Sequence, residues 1–265
     1  MFQSQKPFKL EAIVNYKTEI IQKPTSVHTS RTMMFAELSR LMNFSVGTNT
    51  DFKNLLEDNV IGKQTKTNRD ETNKYLKRLY QLEDAEPTFK AFHYFWSLAS
   101  TNEKPLLALL LAITRDFLLA ESIETVINIS PGNRVDVSVI EQFIESKHPK
   151  RYTDKTRLSL AQNIASSWKQ TGHIVGRIKN IRTQVIPGYY TVAFALFLGY
   201  LHGLRGDYLF KTKWTKVLDC SENEIRNLTQ EATKREILSF QFAGNVTVVN
   251  FKTLIQKLNL HGIED

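Results

Sequence analysis

Nine lysines and arginines fall between Lys147 and Arg182, at positions 147, 150, 151, 155, 157, 169, 177, 179 and 182, and a single acid, Asp154, stands among them. Their local net of +8 equals the formal net charge of the whole 265-residue chain, so the remainder is balanced. Charge gathered in this way suits phosphate binding, where each cation that meets a backbone phosphate releases a condensed counterion. Part of it follows a helical pattern: Lys155, Ser159, Gln162, Ser166 and Lys169 recur at three- and four-residue steps. A helix places these five on one side, with ammonium groups at the ends for phosphates and hydroxyl and amide groups between them for base edges. Arg157, Arg177, Lys179 and Arg182 are further phosphate candidates, and Lys66, Arg69, Lys74, Lys77 and Arg78 form a second, weaker group.

Catalysis has no comparable anchor. The sequence contains neither GxxxxGK[ST] nor GxGxxG, the two glycine patterns that cradle nucleotide phosphates. Histidines stand at 28, 93, 148, 173, 202 and 261, with no HxxxH or HExxH spacing that would set two imidazoles on a metal. Cys220 is the only cysteine, which leaves no intrachain disulfide and no CxxC knuckle and fits a reducing cytoplasm. The sequence therefore predicts a cytoplasmic binding protein rather than an enzyme, with no cofactor, metal or small-molecule substrate.

The elements that must position the basic residues read as helices. Thr153 or Asp154 caps a helix that runs to about Thr171 and ends at Gly172, with Leu158, Ala161, Ile164, Ala165 and Trp168 inward. The β-prone stretch from His173 to Val185 follows as a wing-like ribbon. Upstream, Thr32–Met42, Asp51–Asn59 and a basic helix from Thr67 or Asn68 are expected, with Gly62 turning between the last two in a helix-turn-helix-like arrangement. Two further helices span Pro87–Ser100 and Pro105–Ile127, and the aromatics Phe89, Phe92, Phe95 and Trp96, with Leu98, belong to a core. Ser138, boxed by Glu141, starts a helix that His148-Pro149 stops, and the domain boundary is placed there. Ser221, boxed by Glu224, begins a last helix, followed by a hairpin turning at Gly244-Asn245.

The overall expectation is a mainly α chain. A helical N-terminal domain (1–148) carries the helix-turn-helix-like element, and a basic, winged-helix-like C-terminal domain (149–265) carries short β-hairpins. Val185–Leu204 lacks Asp, Glu, Lys and Arg. Pro187-Gly188 and His202-Gly203 shorten it to about a dozen good residues, against the ~20 that a membrane span needs, so it reads as a buried helix. Met1–Leu10, interrupted by Lys6 and Lys9, shows no signal-peptide pattern.

Three stretches resemble one family: Glu57–Leu79 (EDNVIGKQTKTNRDETNKYLKRL), Leu109–Leu119 (LLLAITRDFLL) and Tyr152–Ile174 (YTDKTRLSLAQNIASSWKQTGHI), with the helix and hairpin of Ser221–Phe251 fitting its tail. They are similar to BrxA, a small component of BREX phage-defence systems. The resemblance rests on diffuse helical patterns rather than an invariant motif. It implies a helical, DNA-binding accessory protein that works beside the methyltransferase and ATPase components, and it transfers no catalytic residue. Duplex DNA and other BREX subunits are then the expected partners. A protein-interaction scaffold whose basic face docks an acidic partner, and an RNA-binding helical protein, are the alternatives.

Overall fold

A computed structural model describes residues 26–46, 52–83, 85–244, 246–260 and 263. Its helices are α1 (Phe35–Val46), α2 (Phe52–Glu57), α3 (Lys66–Tyr80), α4 (Pro87–Leu98), α5 (Lys104–Arg115), α6 (Phe117–Glu121), α7 (Ile123–Ile127), α8 (Val137–Lys147) and α9 (Asp154–Gln170). Strands β1 (Ile174–Val175) and β2 (Ile181–Arg182) follow. Then come α10 (Tyr189–Leu201), α11 (Lys213–Lys216), α12 (Glu222–Lys234), β3 (Ser239–Ala243), β4 (Val246–Asn250) and α13 (Lys252–Lys257). Short 3-10 turns occupy Val27–Thr29 and Gly206–Lys211. The protein is mainly helical, with two short antiparallel hairpins among the described residues. The Met1–Leu10 reading falls outside the described residues, as do Asp51 at the start of the second expected helix and Asn245 of the second turn.

At the centre lies α10. It is apolar on every side, and every residue from Thr191 to Tyr200 is buried, the pattern of a helix surrounded by protein. Phe194 packs 5.9 and 5.4 Å from the rings of Phe92 and Phe95, and Phe197 and Tyr200 lie 5.0 and 5.2 Å from Phe251. Within 189–219, α10 is thus core, while Tyr208 and Lys211 beyond it are exposed. Thirteen residues at ~1.5 Å each fall well short of a bilayer. Among the described residues no helix is long and apolar enough to cross a membrane.

The expected single helix over Pro105–Ile127 is broken at Asp116, which takes an extended conformation (φ −108°, ψ 107°). Its carboxylate caps the new helix by accepting from the Leu119 amide. Two apolar assignments also change. Leu158 is exposed, and Leu160 is buried on α9 in its place; Leu98 is likewise exposed. The helix of Thr32–Met42 begins only at Phe35, so Met33 and Met34 reach the core from non-helical chain, Met34 with φ +52°. Thr65, not Thr67 or Asn68, caps α3 by accepting from the Asn68 amide, and α8 starts at Val137 with Asp136 ahead of it rather than at Ser138.

The division expected at 148/149 falls between α8 and α9, which pack on each other, and buried residues from both sides belong to one hydrophobic cluster. Residues 26–35 add a second tie. This segment lies against α9 through five hydrogen bonds, from the Asn163 amide to the His28 carbonyl, the Met33 amide to Ser167, the Phe35 amide to Gln170, the Gln170 amide to Thr32, and between His28 Nε2 and Ser167 Oγ, all 2.8–2.9 Å.

Candidate nucleic-acid interface

The helix predicted to carry the interface is present and anchored at both ends. Thr153 accepts from the Thr156 amide at its start, and Gly172, with φ +83°, turns the chain after its end. Leu160, Ala161, Ile164, Ala165, Ser167 and Trp168 are buried, and the Trp168 indole N–H donates to Ser122 at 2.9 Å. Burial of that face turns the other outward. Lys155, Ser159 and Gln162 are exposed, and Ser166 and Lys169 are half-buried. None of these five side chains has a hydrogen-bond or ion-pair partner among the described residues. Lys169 stands fourteen residue steps beyond Lys155, about 21 Å of helix, which matches roughly six base pairs of duplex.

Arg157 does not join that stripe. Its guanidinium is half-buried and spans Glu141 (3.3 Å) and Glu145 (2.9 Å) of α8 and Asp154 (2.8 Å) of its own helix. With three carboxylates around it, Arg157 fastens α9 to α8 and is not a phosphate contact. Arg182 is a clearer correction, because it is fully buried. Its Nε donates to the Val126 carbonyl at 3.1 Å, its other nitrogens approach the carbonyls of His173 and Thr183, and Asp219 lies 2.8 Å away. No phosphate reaches it. Arg177 and Lys179, by contrast, are exposed in the loop between β1 and β2.

The second group lies on α3. Lys66, Lys74, Lys77 and Arg78 are exposed, while Arg69 is half-buried with Asp70 at 3.9 Å and Lys74 lies 3.5 Å from Glu71. The 26–35 segment sits between this helix and α9, since the Tyr80 hydroxyl donates to the Met33 carbonyl at 2.5 Å. At that seam stands Arg31, its guanidinium 5.6 Å from the centre of the Tyr75 ring. Arg31 is a surface cation that sequence reading missed. It precedes α1 alone, outside any charge run, and only the fold brings it beside α3.

Beneath Arg31 a buried polar bolt holds the segment. Asp116 accepts from the Ser26 hydroxyl (2.8 Å), the Val27 amide (2.7 Å) and His28 Nδ1 (2.9 Å), and His28 Nε2 meets Ser167 Oγ at 2.8 Å. Burial works to raise the Asp116 pKa. The charge and N–H of His28, the Leu119 amide and the Ser26 hydroxyl outweigh it and hold the pKa at about 2. The connectivity Asp116–His28–Ser167 is that of a nucleophilic triad, but all three side chains are buried. Ser167 Oγ also takes the Met33 amide and donates to the Asn163 carbonyl, so it is committed to holding structure.

Other reactive groups are similarly quenched. Burial, with the carboxylates of Glu224 and Asp219, pushes the Cys220 thiol up to about 11, which keeps it protonated and poorly nucleophilic. Burial lowers His173 to about 3, so the imidazole stays neutral against the Val217 carbonyl at 2.8 Å. A cleft of about 550 Å³ is lined by Lys147, Lys211, Lys213 and Lys216 with Glu121 and Glu124. Lys216 pairs with Glu124 and His148 with Glu121, and Lys213 donates to the Ile113 carbonyl, so much of its charge is answered internally.

Comparison of the chain with family models, curated proteins and solved structures returned no match. Fold and surface chemistry therefore carry the functional reading.

Proposed function

We propose that the chain is a non-enzymatic DNA-binding accessory protein of a bacterial BREX-type anti-phage system. It contacts duplex DNA mainly through phosphates and works beside methyltransferase or ATPase subunits. The observation that carries the DNA-binding part is the outward stripe of α9, five polar or cationic side chains left without protein partners over about 21 Å. Lys155 and Lys169 meet phosphates, and Ser159, Gln162 and Ser166 face base edges between them. Arg177 and Lys179 extend the contact from the first hairpin. Lys66, Lys74, Lys77 and Arg78, with Arg31 at the seam, supply a weaker flank, and Arg69 contributes least.

A salt-titrated mobility shift tests the reading. Affinity for duplex falls linearly on a log–log scale, and charge reversal at Lys155 and Lys169 weakens binding to every sequence. Unchanged affinity in that double variant removes α9 from the interface. Competition among duplex, single-stranded DNA and structured RNA separates the DNA reading from an RNA-binding one. Methyltransferase and large ATPase genes beside this one test the assignment to the defence system.

A second reading, docking of another subunit, is favoured by one observation. The outer face of the second hairpin exposes Val246 and Val248, and Phe242 is exposed near its turn. Capture of a neighbouring subunit by protein that binds no duplex at physiological salt would support it.

A further inference from the structure

The tip of the first hairpin pairs an exposed apolar side chain with two cations. Ile178 is 92% exposed, between Arg177 and Lys179, which are exposed too. Single exposed hydrophobics are common and need no explanation. Ile186, for example, is 89% exposed, but no residue from Gln184 to Gly188 carries a charge. Ile178 differs in its flanks and in the stiffness of what bears it.

That stiffness has identifiable sources. Gly176 takes φ +100°, and a Cβ there would lie 2.0 Å from the Lys179 carbonyl oxygen, so the chain closes the loop in a form that other residues cannot adopt. The turn chemistry is met by Gly176. Positions 177–179 are thereby released to hold Arg, Ile and Lys, none of which is a usual turn former. The residues 132–135 lie along β2 as a third strand-like segment: Gly132 N–H donates to the Arg182 carbonyl (2.8 Å), Arg182 N–H to Asn133 (2.9 Å) and Val135 N–H to Asn180 (2.9 Å). Below the ribbon, the buried Arg182 side chain ties β2 to α7 through Val126 and to Asp219. The arginine that sequence reading assigned to phosphate is the root of the wing.

We propose that Arg177-Ile178-Lys179 is a wedge. In this inference, which rests on the DNA-binding reading above, the tip enters the minor groove of a duplex. Ile178 pushes against a base step and partly unstacks it, and Arg177 and Lys179 hold the adjoining phosphates. An aliphatic side chain reads no hydrogen-bond pattern, so its use in a groove is steric. Cations gain there from the focused negative potential of a narrow groove. A rigid support is required because a mobile loop would bend away before the bases parted. The wedge favours pyrimidine–purine steps such as TA, which unstack most easily.

The test uses the full chain and end-labelled duplexes of equal length, one with a central TA step and one without, read by energy transfer between the ends and by affinity across a salt series. Wild-type protein is expected to shorten the end-to-end distance of the TA duplex and to prefer it. Ile178→Ala is expected to abolish both the bend and the preference and to bind the TA duplex roughly tenfold more weakly, the fold-change for losing one buried aliphatic contact. Its salt slope is expected to be unchanged, because no phosphate contact is lost. Arg177→Gln with Lys179→Gln is expected to do the reverse and flatten the slope by about 2. A wild-type complex that binds duplex without bending, or an Ile178→Ala variant that bends and discriminates like wild type, overturns the wedge and leaves the DNA reading standing. Failure of wild type to bind either duplex overturns the DNA reading itself and the wedge with it. Loss of binding to anionic phospholipid vesicles in Ile178→Ala, with DNA bending intact, overturns the wedge in favour of a membrane-facing tip.

Discussion

Twice among the described residues a helix leads into a short hairpin, and the two pairs differ in what their cations face. Along α9 the stripe from Lys155 to Lys169 meets no partner among the described residues, and the hairpin beyond it ends in Arg177-Ile178-Lys179. Along α12 the cations are engaged. Arg226 lies 2.8 Å from Asp207 and 2.7 Å from Glu222, Lys234 lies 2.6 Å from Glu231, and Arg235 covers the Tyr189 ring at 4.4 Å. The second hairpin presents Phe242, Val246 and Val248 and no charge at its described tip. Surface ion pairs add little stability, but each one withdraws a cation from external anions. Internal pairing, more than the number of basic residues, separates a surface fit for phosphate from one fit for packing.

The largest expected effect lies at the root of the first hairpin. Arg182→Leu leaves Asp219 without its cation and strips donors from three carbonyls, and the expected loss is roughly 3–5 kcal/mol in urea unfolding. Arg177→Gln, five residues away at the exposed tip, should stay within about 0.5 kcal/mol. Equal stability of Arg182→Leu and wild type would break the division between root and tip.

Asp116 comes next. Its folded pKa of about 2 lies below the ordinary 3.8, so ionisation favours the folded state. A depressed carboxylate contributes stability that is fully present above about pH 4 and is lost as pH falls through about 2, here on the order of 2 kcal/mol. Unfolding free energies from urea titrations between pH 6 and pH 2 should fall in wild type by that amount more than in Asp116→Asn, which starts lower and lacks this component. Parallel curves would show that the bolt holding residues 26–35 to α9 does not depend on that charge.

A smaller stability effect sharpens the contrast on the α12 side. Arg226→Gln gives up two half-exposed ion pairs and contacts with Phe210 and Phe242, an expected cost of about 1 kcal/mol. Its affinity for duplex DNA should match that of wild type. A weaker complex would place α12 in the interface and erase the distinction between the two helix–hairpin pairs.

Local signals made much of this fold legible. Thr153 ahead of α9, the Ser221–Glu224 box of α12 and the uncharged run that became α10 all declare themselves within a few residues. The outward stripe of α9 was legible for the same reason, since helical period decides which side chains share a face. What escaped depends on partners far along the chain. Arg182 meets Val126, 56 residues away, and Asp219, and nothing near it in sequence marks it as buried. Asp116 breaks an otherwise continuous apolar pattern because Ser26, Val27 and His28 converge on its carboxylate. Leu158 and Leu160 were exchanged because two leucines two residues apart compete for one helical face, and neighbouring helices decide between them. Charge count alone also cannot distinguish Arg157, held by three carboxylates, from Lys155, held by none.

The central claim is that the unpaired cations of α9 meet phosphate and the paired ones of α12 do not. The salt dependence of duplex binding tests it most directly, measured for wild type, for Lys155→Gln with Lys169→Gln, and for Lys234→Gln with Arg235→Gln. Each variant removes the same charge from the chain. The account predicts that the α9 variant flattens the log–log slope by about 2, roughly 0.9 per phosphate contact, while the α12 variant keeps the wild-type slope. Equal flattening in both variants, or none in the α9 variant, would contradict it.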